Sequence, residues 1–189
     1  RDRRGMTGPA LKADPAAGSL IKEERKTVVW RQALPDSTPA VWKLYRHRKP
    51  SLLERRGWYT GRAEREYQAL VHARDHGVAC SEPLFWATGA SEATGNYELL
   101  VTREVTGAPD LKDWLDRHRG EAPPDLRPLF ALAAALHRTG LQHGALLARN
   151  ILLAGRDFHL IDFPRCQHFG RSIEGCPAGW FDLKVLVQS

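Results

Sequence analysis

Apolar and polar positions alternate in short runs along the first half of the chain, the period-two signature of half-buried strands. Ser19–Arg25 and Thr27–Leu34 are two such runs separated by a charged turn, and Ala40–Arg46 follows a Pro-Asp-Ser-Thr-Pro loop. These predict three antiparallel strands. Between Arg62 and His76 the period lengthens. Ala63, Tyr67, Leu70 and Val71 recur at helical spacing, and Gly77 supplies a stop. Pro83–Thr88 and Tyr97–Glu104 return to a strand pattern around a Gly/Ser/Thr/Asn turn. The second half turns helical: Leu111–His118 is a short helix, and Leu126–Thr139 a longer one with Asp125 as N-cap and Gly140 as C-cap. Asn150–Leu153 and Phe158–Phe163 predict a hairpin around Ala-Gly-Arg-Asp, and Asp182–Gln188 a closing helix. Residues 1–18 show no apolar period and predict a tail. The expected class is α+β: a strand-rich part, 19–105, with one inserted helix, then a smaller, mostly helical part, 106–189.

Several polar residues sit where this pattern makes them costly. Lys43 is centred in Val41-Trp42-Lys43-Leu44-Tyr45, and a lysine in an apolar strand must find a partner. Val41 shares its face. On the following helix, Glu66 shares a face with Ala69, Leu70 and Ala73 and points inward; Glu64 is the second candidate. Asn150 opens one hairpin strand and Asp162 ends the other, so antiparallel pairing brings two oxygen donors together, as a shared Mg²⁺ requires. Each residue alone has a plain structural reading: an edge lysine with a snorkelling stem, an exposed helix charge, a turn asparagine, a strand-end cap. The set reads as a site.

The stretch His143-Gly144-Ala145-Leu146-Leu147-Ala148-Arg149-Asn150, followed by Asp162-Phe163, resembles the protein-kinase catalytic loop H-R-D-L-x-x-x-N and the metal-binding D-F-G. Ala145 stands at the position of the catalytic Asp. With Val41-Trp42-Lys43, Arg65-Glu66-Tyr67, Gly77-Val78, Pro83-Leu84, Leu136-His137-Arg138-Thr139-Gly140 and Leu160-Ile161-Asp162-Phe163, the chain resembles the bacterial lipopolysaccharide core kinases, the Kdo/heptose kinase family, over residues 19 to 189. The resemblance implies a protein-kinase-like two-lobed fold, with a five-stranded antiparallel N-lobe carrying one helix and a small, mostly helical C-lobe. It implies ATP-dependent phosphorylation of a sugar hydroxyl on the lipid A–core glycolipid, with Mg²⁺. Lys43 would hold the α- and β-phosphates and pair with Glu66. Val41 would cover the adenine, and the backbone of Glu104 and Val105 would meet its edge. Asp110 would reach a ribose hydroxyl or cap the next helix. Asn150 and Asp162 would hold the metal, and His143 would be a structural histidine bonding around the loop. Asp182 would anchor that loop or cap the last helix.

Departures from the family pattern bear on mechanism. Lys22-Glu23-Glu24-Arg25-Lys26 replaces the Gly-rich loop, Leu147 stands where family members often have a polar residue, and Pro164 replaces the glycine of D-F-G. Alanine at 145 can neither orient an acceptor hydroxyl nor take its proton. An engineered substitution, a natural pseudokinase acting as nucleotide-binding scaffold, or a substitute base such as Asp157 or Asp182 are the competing explanations. An aminoglycoside-type phosphotransferase shares the His-Gly-Asp…Asn and Ile-Asp pattern, but such enzymes add helices to hold their acceptor.

Composition narrows the setting. The formal net charge of the 189 residues is +6, which suits nucleotides and phosphorylated lipid headgroups or serves solubility alone; no nucleic-acid partner is expected. Cys80, Cys166 and Cys176 form no CxxC pair, as expected of free thiols in a reducing compartment. Together with His168, the last two match no standard zinc spacing. No apolar run approaches the roughly 20 residues of a membrane-spanning helix, and no secretory signal is visible. The expectation is a cytoplasmic protein with peripheral contact at the inner face of the membrane.

Overall fold

A computed structural model describes residues 15–46, 61–91, 95–122 and 124–189. The expected tail through residue 14 lies outside these. The alternating runs of the first half form one antiparallel sheet of β1 (Ser19–Glu24), β2 (Thr27–Arg31), β3 (Ala40–Arg46), β4 (Pro83–Ser91) and β5 (Gly95–Arg103), in the order β1-β2-β3-β5-β4. In register, Trp42 lies opposite Trp30 on β2 and Val101 on β5. These three, with Val28, Ala40, Leu44 and Leu99, make a buried cluster on one face. The indoles of Trp30 and Trp42 stack at 5.8 Å, and Phe85 meets Trp42 edge-on at 5.7 Å. This packing fixes the register, because a one-residue slip of β3 would drive Lys43 into the aromatic cluster.

The other face of β3 carries Val41, Lys43 and Tyr45, opposite Thr102, Leu100 and Glu98 of β5. The inserted helix, α1 (Arg62–Asp75), starts where the Glu98 carboxylate accepts the Ala63 N–H at 2.7 Å, placing an anion at the positive helix end. It stops at Gly77, whose φ of 74° lets Val78 N–H return to the Ala73 carbonyl at 2.9 Å. Strand β2 ends three residues short of the predicted Leu34. The chain turns there instead: Leu34 N–H donates to the Thr38 carbonyl, and the Asp36 carboxylate accepts from Thr38 N–H.

By contact the chain divides into two units. Of the described residues, the first unit holds those up to Tyr67 and those within Glu82–Glu104, and the second holds Gln68–Ser81 and those within Val105–Ser189. Sequence order alone would have left Gln68–Ser81 with the first. The second unit contains α2 (Leu111–Arg117), α3 (Arg127–Arg138), the short pair β6 (Leu141–Gln142) and β9 (Gln167–His168), the hairpin β7 (Ile151–Ala154) and β8 (Asp157–Leu160), and α4 (Pro177–Val187). Leu129, Ala133 and Leu136 of α3 are buried, as are Leu146, Ile151, Leu160, Phe163 and Ile173. Asp125 accepts the Arg127 N–H one residue outside the cap position, which Leu126 occupies. Gly140, with φ of 80°, ends α3 as expected. Two expectations shift. Strand β8 ends at Leu160 rather than Phe163, because Asp162 takes a left-handed backbone with φ of 65°. Helix α4 begins five residues before Asp182, with Pro at its first turn.

Candidate active site

Lys43 is held by side chains. Its Nζ donates to both oxygens of Glu66, at 3.0 and 3.2 Å. The carboxylate side chain is 2% exposed and the lysine 15% exposed. Sequence spacing on strand and helix is enough to bring these two together, and Glu66 is the inward residue of α1. A third member has no counterpart in the sequence reading. The hydroxyl of Tyr45 donates to Glu66 Oε2. Its ring lies under the Arg62 guanidinium at 4.6 Å and near Lys43 Nζ at 5.4 Å. Burial, and next the Glu66 charge, push the Tyr45 phenol well above its ordinary range, so it stays a neutral donor. The signal for it was present: Tyr45 lies two residues after Lys43 and so shares its face.

The loop around Ala145 is held through its backbone. The carboxylate of Asp182, fully buried on α4, accepts His143 N–H and Gly144 N–H at 2.8 Å each, and His137 Nε2 at 3.1 Å. Asp182 is therefore the loop's anchor and not a helix cap. His143 donates from Nε2 to the Ile161 carbonyl at 3.1 Å, a tautomer assigned by that bond, and its ring packs on buried Phe163 at 4.3 Å. Gly144 has φ of 75°, and a Cβ there would lie 2.3 Å from the Arg165 carbonyl oxygen, so only glycine fits.

Asn150 and Asp162 stand where the hairpin was expected to bring them. Ile151 pairs with Leu160, and Ile161 N–H donates to the Asn150 carbonyl at 3.0 Å, which sets Asp162 one residue on. Asn150 Nδ2 donates to the Ala145 carbonyl at 2.9 Å. That bond fixes the amide orientation and turns Oδ1 the other way. The left-handed Asp162 backbone costs on the order of 1 kcal/mol, a strain of the kind that gathers at functional sites. One carboxylate and one amide oxygen fit Mg²⁺ shared with phosphates better than an all-protein cage. Among the described residues no group of three or more His, Cys, Asp or Glu is placed to hold a metal.

The two candidate substitute bases lie in different settings. Both Asp182 oxygens are taken by loop donors in a buried site. Asp157 is exposed at the turn end of the hairpin, opposite Ala154 and three residues before Leu160. Val41 lies beside Lys43 on its face, half-buried. Glu104 N–H donates to the Pro39 carbonyl at 3.0 Å, and its carboxylate takes Arg31 Nε at 2.6 Å. The Glu104 carbonyl and Val105 N–H belong to one trans peptide and point apart, so only one of them can face a given ligand edge. Asp110 caps α2, its Oδ1 accepting Asp113 N–H at 2.8 Å. In the first hairpin, Lys22 pairs with Glu24 at 2.6 Å, and Glu23 pairs with Arg46 of β3 at 2.8 Å.

Against known proteins, the model of the lipopolysaccharide kinase (Kdo/WaaP) family matches residues 17–173. The chain belongs to that family, whose members are phosphotransferases. It is 28% identical over 177 residues to a probable bifunctional tRNA threonylcarbamoyladenosine biosynthesis protein of Methanosarcina mazei. That match spans 91% of this chain but only 28% of the relative. Among solved structures it is similar to WaaP in complex with acyl carrier protein, with a TM-score of 0.62 at 20% identity over 90% of this chain and 69% of that one. This likeness shows the fold, an α+β kinase-like arrangement.

Proposed function

We propose that this member of the lipopolysaccharide kinase (Kdo/WaaP) family is an ATP- and Mg²⁺-dependent kinase for a Kdo or heptose hydroxyl of lipopolysaccharide core, in a form that lacks its general base. The observation that carries the reading is the Lys43–Glu66 ion pair at 3.0 Å on one face of the sheet. A paired, largely buried lysine is poised for phosphate recognition more than for solubility. Lys43 would present Nζ to the α- and β-phosphates while Glu66 keeps it extended. Asn150 Oδ1 and the Asp162 carboxylate would hold Mg²⁺, which supplies positive charge against that building on the phosphates. Transfer forms a bond from the acceptor oxygen to the γ-phosphorus, breaks the bond to the β–γ bridging oxygen, and releases the hydroxyl proton. At position 145 no side chain takes that proton.

The acceptor would be met at the inner face of the membrane. Trp180, Phe181 and Val187 are exposed along α4 with Lys184 among them, a composition that suits a lipid interface, and no described helix is long and apolar enough to cross one. A second reading, a nucleotide-binding scaffold without turnover, is favoured by Ala145 itself. Both readings require nucleotide. Calorimetric titration with ATP and Mg²⁺ should show binding that Lys43→Ala and Asp162→Ala each weaken by about tenfold or more, the worth of a charge-assisted hydrogen bond. If neither change weakens binding, the site assignment is wrong.

A further inference from the structure

We infer that Tyr45 is a positioning residue for nucleotide binding, holding the Glu66 carboxylate that in turn orients the Lys43 ammonium. The inference rests on the reading of Lys43 given above and adds to it a residue outside the kinase motif set. Three facts of geometry support it. Tyr45 and Lys43 are two apart on β3, so the strand's period turns both toward α1. Their polar ends converge on one carboxylate: Lys43 Nζ reaches both oxygens, and the Tyr45 hydroxyl reaches Oε2. The Tyr45 ring is itself fixed, with the Arg62 guanidinium 4.6 Å from its centre. Glu98, directly across from Tyr45 on β5, holds the first turn of α1 through Ala63 N–H. The helix is therefore tied to the sheet at its backbone by Glu98 and at its functional side chain by Tyr45.

The chemical consequence follows from the chain of contacts. The phenol bonds Oε2 and fixes the plane of the Glu66 carboxylate, and Lys43 Nζ takes its position from both oxygens of that carboxylate. Without the phenol the carboxylate loses this anchor, and the ammonium is oriented less well toward a phosphate. Because the phenol stays protonated far above neutral pH, this hold is the same across the physiological range.

The test is a double-mutant cycle on ATP–Mg²⁺ affinity, read by calorimetry on the chain as it stands. Tyr45→Phe keeps the ring and removes only the hydroxyl. It should weaken ATP binding about three- to tenfold, the net worth of one hydrogen bond. In a Lys43→Ala background the same change should have no further effect, since Tyr45 acts through Lys43. A merely structural role would weaken binding equally in both backgrounds, and that outcome overturns the inference. So does a Tyr45→Phe protein that binds ATP unchanged while Lys43→Ala binds it more weakly. If Lys43→Ala itself binds unchanged, the reading of the site falls and the inference falls with it. Glu66→Gln serves as a second variant: it weakens the pull on both donors, so Tyr45→Phe added to it should cost less than Tyr45→Phe alone.

Discussion

In the first unit the Lys43 ammonium is held on Glu66, and Glu66 on Tyr45, side chain to side chain. In the second, the loop around Ala145 is held through its backbone, with His143 and Gly144 N–H on Asp182, the His143 ring on the Ile161 carbonyl, and Asn150 on the Ala145 carbonyl. The two devices fail differently. A side-chain cluster loses its geometry when one member is truncated, while the sheet beneath it, built on the Trp30–Trp42 face, stands. A backbone-held loop does not depend on the side chain at 145, because no bond recorded there uses one. Alanine at position 145 is therefore compatible with a formed loop, whereas loss of the buried carboxylate beneath it is not.

The largest test of this contrast places an aspartate at position 145. Ala145→Asp should raise ATP-dependent phosphorylation of a Kdo- or heptose-containing glycolipid by ~10²–10⁴-fold, with ATP affinity little changed because the loop is already in place. No gain with any sugar acceptor would favour the scaffold reading. Next comes Asp182→Ala. It strips three donors of their acceptor in a buried site, and each orphaned donor costs about 1–3 kcal/mol, so urea denaturation should show a loss on the order of 4 kcal/mol. A loss under about 1 kcal/mol would break the comparison, since the loop would then be holding itself. The smallest effect is chemical. Burial pushes the Cys80 thiol up to about 12, so in the folded protein at pH 8 it should resist alkylation that half-buried Cys176 undergoes. The folded pKa lies above that of the unfolded thiol. The stability this contributes is thus complete below the unfolded pKa and is lost as pH climbs toward 12. Rapid modification of Cys80 in the native protein would show that the second unit opens more readily than its packing implies.

Much of the site could be read in the chain because its parts are local in pattern. Lys43 in an apolar strand, Glu66 on an inward helix face, and Asn150 and Asp162 at the ends of a hairpin are each set by a two- or 3.6-residue period. What could not be read lies in contacts between distant segments. Tyr45 reads as one more strand aromatic until Glu66, 21 residues on, is brought to it. Glu98 reads as a strand charge until α1 starts against it. Asp182 fits a helix cap as well as an anchor until the helix is found to begin at Pro177. The left-handed backbone of Asp162 carries no glycine to announce it.

The two- and 3.6-residue periods of apolar and polar residues, by themselves, determined the five strands and the inserted helix, because burial of one face per element selects the register. Tertiary structure alone decided which oxygens and nitrogens meet. A hydrogen bond needs a donor and an acceptor within about 3 Å, and only the folded chain brings residues 39 positions apart, such as His143 and Asp182, to 2.8 Å. The loop around Ala145 keeps its shape for that reason: a carboxylate far along the chain holds it, and position 145 contributes its backbone carbonyl.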